Sequence, residues 1–93
     1  MKYVVNTVWS HPNNIDWDRM KEGLEQLRDD EGSADEVTWY EIDPTTHGSV
    51  AVYSSQEKYE KYKSKLEEYR KDATDEIGAQ IINEFQGLVK ASI

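Results

Sequence analysis

Two apolar stripes with identical spacing constrain this chain more than any other feature. Trp17, Met20, Leu24 and Leu27 are separated by 3, 4 and 3 residues, and Tyr59, Tyr62, Leu66 and Tyr69 repeat those intervals. The spacing is one face of a 3.6-residue period, so each segment predicts a helix with one side to bury. Each stripe is preceded by a β-branched and aromatic run of the kind that forms strands. Tyr3 to Trp9 reads as strand one, Val37 to Ile42 as strand two, and Ser49 to Tyr53 as strand three.

The punctuation between these segments agrees with that order. His11-Pro12-Asn13-Asn14 breaks strand one, and either asparagine can cap the helix expected from about Ile15 to Asp29. Asp16 and Asp18 then fall in a first turn, where the helix dipole favours negative charge. Gly32 is a candidate left-handed residue after the helix. Asp43-Pro44-Thr45-Thr46-His47-Gly48 reads as the turn of a hairpin. Ser54 with Glu57 gives helix two a capping-box pattern, and the helix is expected to end before Gly78.

The last segment fits two patterns. Ile77, Ile81, Phe85 and Leu88 suit a helix, whereas Ile81, Phe85, Val89, Ala91 and Ile93 share one face of a strand. Alternation is cleanest after Phe85, and Gly87 is a candidate bulge. A fourth strand is the expected outcome, because both halves of the chain then read strand–helix–strand.

That duplication sets the expected fold class, with residues 1–93 forming a single domain. It is an α+β, ferredoxin-like βαββαβ arrangement: a four-stranded antiparallel sheet, order 4-1-3-2, with two helices on one face. Strand one is apolar on both faces, with Tyr3, Val5 and Trp9 against Val4 and Val8, so something should cover each side. The chain has 93 residues and no cysteine. At this size folding removes only about 60–65% of the exposed surface, and no disulfide or thiolate site can assist. A sheet-to-sheet homodimer is the expected second layer.

The formal charge of −8 repels phosphate backbones and anionic headgroups, so neither nucleic acid nor a membrane surface is an expected partner. No apolar run approaches the roughly 20 residues of a membrane span. The absence of an apolar leader after Met1-Lys2-Tyr3, together with the absence of cysteine, leads to a cytoplasmic expectation.

On strand and helix order, size and acidity, the chain resembles the dimeric α+β barrel superfamily, in particular its small uncharacterised members from marine environmental sequences. The resemblance implies a dimer with a cavity between sheet and helices. The superfamily includes cofactor-free monooxygenases, haem-degrading enzymes and proteins without known activity. Asn6 lies about where haem-degrading members keep a pocket asparagine, and Trp39 could stand for their pocket tryptophan. Their haem-ligating histidine has no counterpart, since helix two contains none from Gln56 onward. No cofactor is therefore expected.

The candidate pocket residues are Asn6, Trp9, Trp39, Tyr40, His47 and Tyr53. The aromatics suit a planar apolar ligand, or equally a core and dimer interface. Asn6 is a polar residue inside an apolar strand and must find hydrogen-bond partners. His47 could act as a general base or simply belong to its turn. Glu41 and Asp43 read as charges guarding an edge strand. With strands one and three taken as parallel neighbours, His11 and His47 fall at opposite ends of the sheet, roughly 20–25 Å apart, and no metal site is expected. The sequence leads to a homodimer holding a small aromatic or apolar ligand between sheet and helices. A cofactor-independent monooxygenase-like enzyme and a non-catalytic structural or regulatory dimer are the alternatives.

Overall fold

The computed structural model describes residues 1–93. The elements run β1 (Tyr3–Ser10), α1 (Trp17–Asp29), β2 (Glu36–Asp43), β3 (Thr46–Tyr53), α2 (Gln56–Ile77) and β4 (Gln80–Leu88). The strands form one sheet in the order β2-β3-β1-β4, and every neighbouring pair is antiparallel. This is the expected order read from the other edge.

The helix boundaries follow from local chemistry. Asp16, rather than either asparagine, caps α1; its carboxylate accepts from the Asp18 and Arg19 amides at 3.1 and 3.2 Å. Two residues of the expected helix, Ile15 and Asp16, therefore lie outside it. Ser55 replaces Ser54 as the cap of α2, its hydroxyl accepting from the Lys58 amide at 3.0 Å. Gly78 ends α2 in the left-handed region at φ 71°, donating its N–H to the Thr74 carbonyl at 3.0 Å. A Cβ there would also crowd the Pro12 ring at 3.0 Å, so the β1–α1 loop rests on the end of α2.

Three local expectations are corrected. The hairpin turn is shorter than expected, because β3 begins at Thr46 and places His47 and Gly48 inside a strand. Asp43 tightens that turn by accepting from the Thr45 amide at 3.0 Å. The β4 irregularity lies at Ile82 instead of Gly87. Trp9 pairs with Ile81 while Val8 pairs with Asn83, so Ile82 is the extra residue. Side chains alternate along a strand, so one inserted residue reverses the faces beyond it. Ile81 consequently shares the helix side with Trp9, and Phe85 shares the open side with Asn6.

The core lies between sheet and helices and comprises Tyr3, Val5, Leu27, Tyr53, Tyr59 and Tyr62. Tyr59 stacks on Tyr3 with centroids 5.2 Å apart and meets Tyr53 edge-on at 5.3 Å. Four tyrosine hydroxyls tie the elements around this core to one another. Tyr3 donates to Gln86 Oε1 at 2.9 Å, and Gln86 Nε2 donates to the Tyr59 hydroxyl at 2.9 Å. Tyr62 donates to Asp30 at 2.7 Å, and Tyr69 to the Gly23 carbonyl at 3.1 Å.

The opposite sheet face carries Val4, Asn6 and Val8 on β1, beside Val50, Val52 and Phe85 on the neighbouring strands. Nothing in the chain covers it, and Phe85 is 66% exposed.

Candidate functional site

The antiparallel pairing of β1 with β3 creates the site. Ser10 at the end of β1 pairs with Thr46 at the start of β3, and Trp9 pairs with His47. The chain after β1 is then pinned to the hairpin turn: the His11 amide donates to the Thr45 carbonyl and the Ile15 amide to the Pro44 carbonyl, both at 2.8 Å. This brings His11 against His47, with His11 Nε2 and His47 Nδ1 at 2.7 Å. The expected separation of the two histidines is thus overturned. It rested on a parallel β1–β3 pair, which an antiparallel sheet of this order does not contain.

His47 is the centre of an aromatic cage. Trp9 lies nearly parallel to its ring at 6.0 Å, Trp39 is tilted at 5.7 Å, and Trp17 presents an edge at 6.2 Å. All three tryptophans of the chain therefore surround one imidazole. Trp9 on β1 and Trp39 on β2 flank β3 on the same face of the sheet, while Trp17 comes from the first turn of α1. Trp9 Nε1 donates to Thr7 Oγ1 at 3.1 Å, and Trp17 Nε1 donates to Glu41 at 3.0 Å.

Trp9, Trp39 and His47 line a cleft of about 660 Å³, floored by the sheet and walled by the two helices, while Trp17 backs His47 from outside that lining. Its size is that of a small-molecule site. Val5, Thr7 and Ala51 form the floor, Met20 and Leu27 one wall, and Tyr69 and Ala73 the other. β3 sends His47, Ser49 and Tyr53 into the cleft from one side of the strand.

The histidine end of the cleft is uncharged. Burial lowers the His47 pKa to about 4, with the neighbouring His11 adding to the effect. Burial also lowers that of His11. Both rings are neutral at pH 7, in keeping with a desolvated imidazole that has no carboxylate partner. Burial raises the Tyr53 phenol to about 12, so it too stays uncharged. Around the histidines, Glu41 is engaged by the Trp17 indole and Asp43 by its turn; farther along the cleft Arg70 pairs with Glu84 at 2.9 Å, while Arg19, Asp72 and Glu76 line the helix side.

Several polar atoms remain free. His47 Nε2, His11 Nδ1, Ser49 Oγ and the Tyr53 hydroxyl take part in none of the chain's hydrogen bonds. No fully enclosed polar side-chain atom lacks a partner, so these four atoms reach open space. Nowhere do three or more histidine, aspartate or glutamate side chains converge as a metal would need.

Of the expected pocket residues, the fold brings together Trp9, Trp39 and His47 and places Tyr53 farther along the same cleft. Asn6 and Tyr40 are corrected. Asn6 pairs with Val50 and Phe85 on the open face, and Tyr40 lies over Gly48 on that face, where a Cβ would collide with its ring. Strand alternation is the reason: residues at odd positions of β1 and β2 face the helices, and these two are at even positions. Trp17 and the partnership of His11 escaped the sequence reading. The signal for His11 was present in the antiparallel order itself.

No protein-family model and no curated protein matches the sequence. Solved structures do match its shape. A dimeric ferredoxin-like protein from an uncultured marine organism superposes with a TM-score of 0.71 at 11% identity, covering 99% of this chain and 98% of that one. The fold is ferredoxin-like. A second structure, protein YjcS, superposes with a TM-score of 0.65 at 9% identity, covering 97% of this chain and all of the other. Identities this low carry the ferredoxin-like architecture and its βαββαβ order to this chain, and no activity with it. No helix is long and apolar enough to cross a membrane.

Proposed function

We propose that this protein binds a small, planar, uncharged aromatic molecule in the cleft beside His47. The observation that carries the reading is the cage of three tryptophans around a neutral histidine at the end of an open cleft of about 660 Å³. Indole faces favour offset or edge contacts with another aromatic ring. Buried neutral groups favour a ligand without formal charge, since a charge taken from water into such a site needs a partner. His47 Nε2 and Ser49 Oγ offer the few polar contacts that would orient it.

The working unit in this proposal is a homodimer. The uncovered sheet face with Val4, Val8, Val50, Val52 and the exposed Phe85 supports it, as does the dimeric state of the marine structural neighbour. Asn6 then becomes a polar residue of the interface instead of a pocket residue. Light scattering at micromolar concentration should give twice the chain mass of 10.8 kDa, and Phe85→Asp should shift the mass to that of the monomer. A wild-type monomer would refute the assembly.

A cofactor-independent monooxygenase-like enzyme is the second reading, favoured by the uncharged histidine pair at the cleft. It loses the contribution expected from Asn6, which faces away. A purely structural or regulatory dimer would leave the cleft without a role. Native mass spectrometry of the protein purified from cells tests the binding reading. An adduct of small mass that Trp39→Ala abolishes supports it. A mass equal to the bare chain, with no tryptophan quenching by 2-naphthol or indole, counts against it.

A further inference from the structure

The contact between the two histidines has a chemical consequence. A neutral imidazole carries one ring proton, so two neutral imidazoles joined by one hydrogen bond are locked into matched tautomers. When His47 Nδ1–H donates to His11 Nε2, His47 Nε2 is a bare acceptor facing the cage and His11 Nδ1 carries the outer proton. When His11 Nε2–H donates instead, the pattern reverses, and His47 Nε2 carries the proton. The pair has two neutral states, and they differ in what they present to the cleft.

The surroundings leave both outer nitrogens available. Neither His47 Nε2 nor His11 Nδ1 bonds to any group of the chain, and neither is sealed from open space. No carboxylate hydrogen-bonds to either ring: Asp16 caps α1, Glu41, the cross-strand neighbour of His47, accepts from Trp17, and Asp43 closes the hairpin turn. The usual device for orienting a catalytic histidine, an acidic partner, is replaced here by a second imidazole. His11 stands at the rim, next to the exposed Pro12 and Asn13, while His47 is 4% exposed inside the cage.

We propose that His11 and His47 form a two-imidazole proton relay between the cleft and the rim, acting on a weakly acidic aromatic ligand such as a phenol. The proposal rests on the cleft being a site for an aromatic molecule. Its step balances without a co-reactant. The ligand O–H bond breaks and its proton joins His47 Nε2. The His47 Nδ1–H proton passes across the 2.7 Å contact to His11 Nε2, and the His11 Nδ1–H proton leaves to water. The ligand keeps the electron pair as phenolate, and both rings end neutral in the opposite tautomers. In that second state the relay is set to return a proton to the cleft by the same path reversed. Because each ring only exchanges one N–H for another, both imidazoles are neutral once the transfer is complete, and the negative charge left on the phenolate faces the newly formed His47 Nε2–H donor.

Two measurements test this on the full chain. Nitrogen NMR of the labelled, ligand-free protein should show one protonated nitrogen in each imidazole and a through-hydrogen-bond coupling between His11 Nε2 and His47 Nδ1. Rings without coupling would overturn the relay whatever the cleft binds. Stopped-flow proton release on mixing with saturating 4-nitrophenol, read by a pH indicator, tests the transfer. His11→Ala should slow release at least about tenfold, with imidazole added to the buffer restoring much of the rate, in line with the usual worth of a positioned acid–base group. An unchanged rate in His11→Ala, or loss of rate that imidazole does not rescue, would overturn the relay while leaving the binding reading intact. Failure of 4-nitrophenol to quench the tryptophans at any concentration would instead strike the cleft reading on which the relay depends.

Discussion

The two ends of the layer between sheet and helices are both aromatic, and they are built to opposite purposes. At one end Tyr3, Tyr53, Tyr59 and Tyr62 pack to 8% exposure or less. At the other, Trp9, Trp17 and Trp39 surround His47 and leave a cleft. The difference lies in where the polar handle of each ring goes. The Tyr3 and Tyr59 hydroxyls meet on Gln86 of β4, and Tyr62 and Tyr69 reach from α2 to Asp30 and to the Gly23 carbonyl of α1. The Gln86–Tyr59 bond joins the sheet to α2, and the Tyr62 and Tyr69 bonds join α2 to α1. Among the indoles, Trp9 bonds within its own strand, and Trp17 crosses to another element only at an exposed edge. Aromatic content alone does not distinguish the two ends; the tyrosine end is tied to other elements by its hydroxyls, and the indole end is not closed by such bonds.

This contrast predicts a large asymmetry in stability. Tyr59→Ala should cost about 3–5 kcal/mol, the usual range for deleting a buried aromatic, as read by urea denaturation. Trp39→Ala, at the open end, should cost no more than about 2 kcal/mol, because its ring borders space instead of filling it. Equal losses at the two ends would break the comparison.

The histidine end should also govern the response to acid. The folded His47 pKa of about 4 lies below the ordinary 6.5, so the unfolded chain binds the proton more readily. Its contribution to stability is therefore complete above pH 6.5 and is lost as the pH falls toward 4. A shift of this size corresponds to on the order of 3 kcal/mol at most. Asp35, Asp43 and Glu84 have lowered pKa values, chiefly through the hydrogen bonds they accept, and lose their contributions at more acidic pH. His47→Gln should flatten the urea midpoint between pH 6.5 and 4.5. A slope unchanged from wild type would remove His47 from the account.

A smaller effect sharpens the tyrosine end. Tyr3→Phe deletes the hydroxyl that begins the Tyr3–Gln86–Tyr59 chain and should cost about 1 kcal/mol. Thr7→Val removes the acceptor of the Trp9 indole inside one strand and should cost less, because no layer is released. The pair of midpoints in urea checks both.

Much of this was legible in the residues. The matched helix spacing led to both helices, and with the strand runs it led to the sheet order and the layer holding the core. Trp9, Trp39 and His47 were recognisable as pocket candidates because they are the bulky or titratable residues of their strands. The faces were harder to read. Asn6 and Tyr40 looked informative for their chemistry, yet strand parity turns both away from the helices. Ile81 and Phe85 share parity in the sequence and part company in space because of the extra residue at Ile82. A bulge depends on the pairing of two distant strands, so no local pattern announces it. The His11–His47 contact likewise requires the antiparallel register and the pinning of the β1–α1 loop to the hairpin turn, neither of which resides in either histidine's neighbours.

The most direct test follows the three indole N–H resonances and the backbone amides during a titration with 2-naphthol. Saturable shifts at the indoles of Trp9 and Trp39, with His47 moving alongside and the amides of Asn6 and Phe85 still, are the predicted result. Shifts centred on the open sheet face, or none that saturate, would contradict the assignment of the tryptophan–histidine end as the binding site.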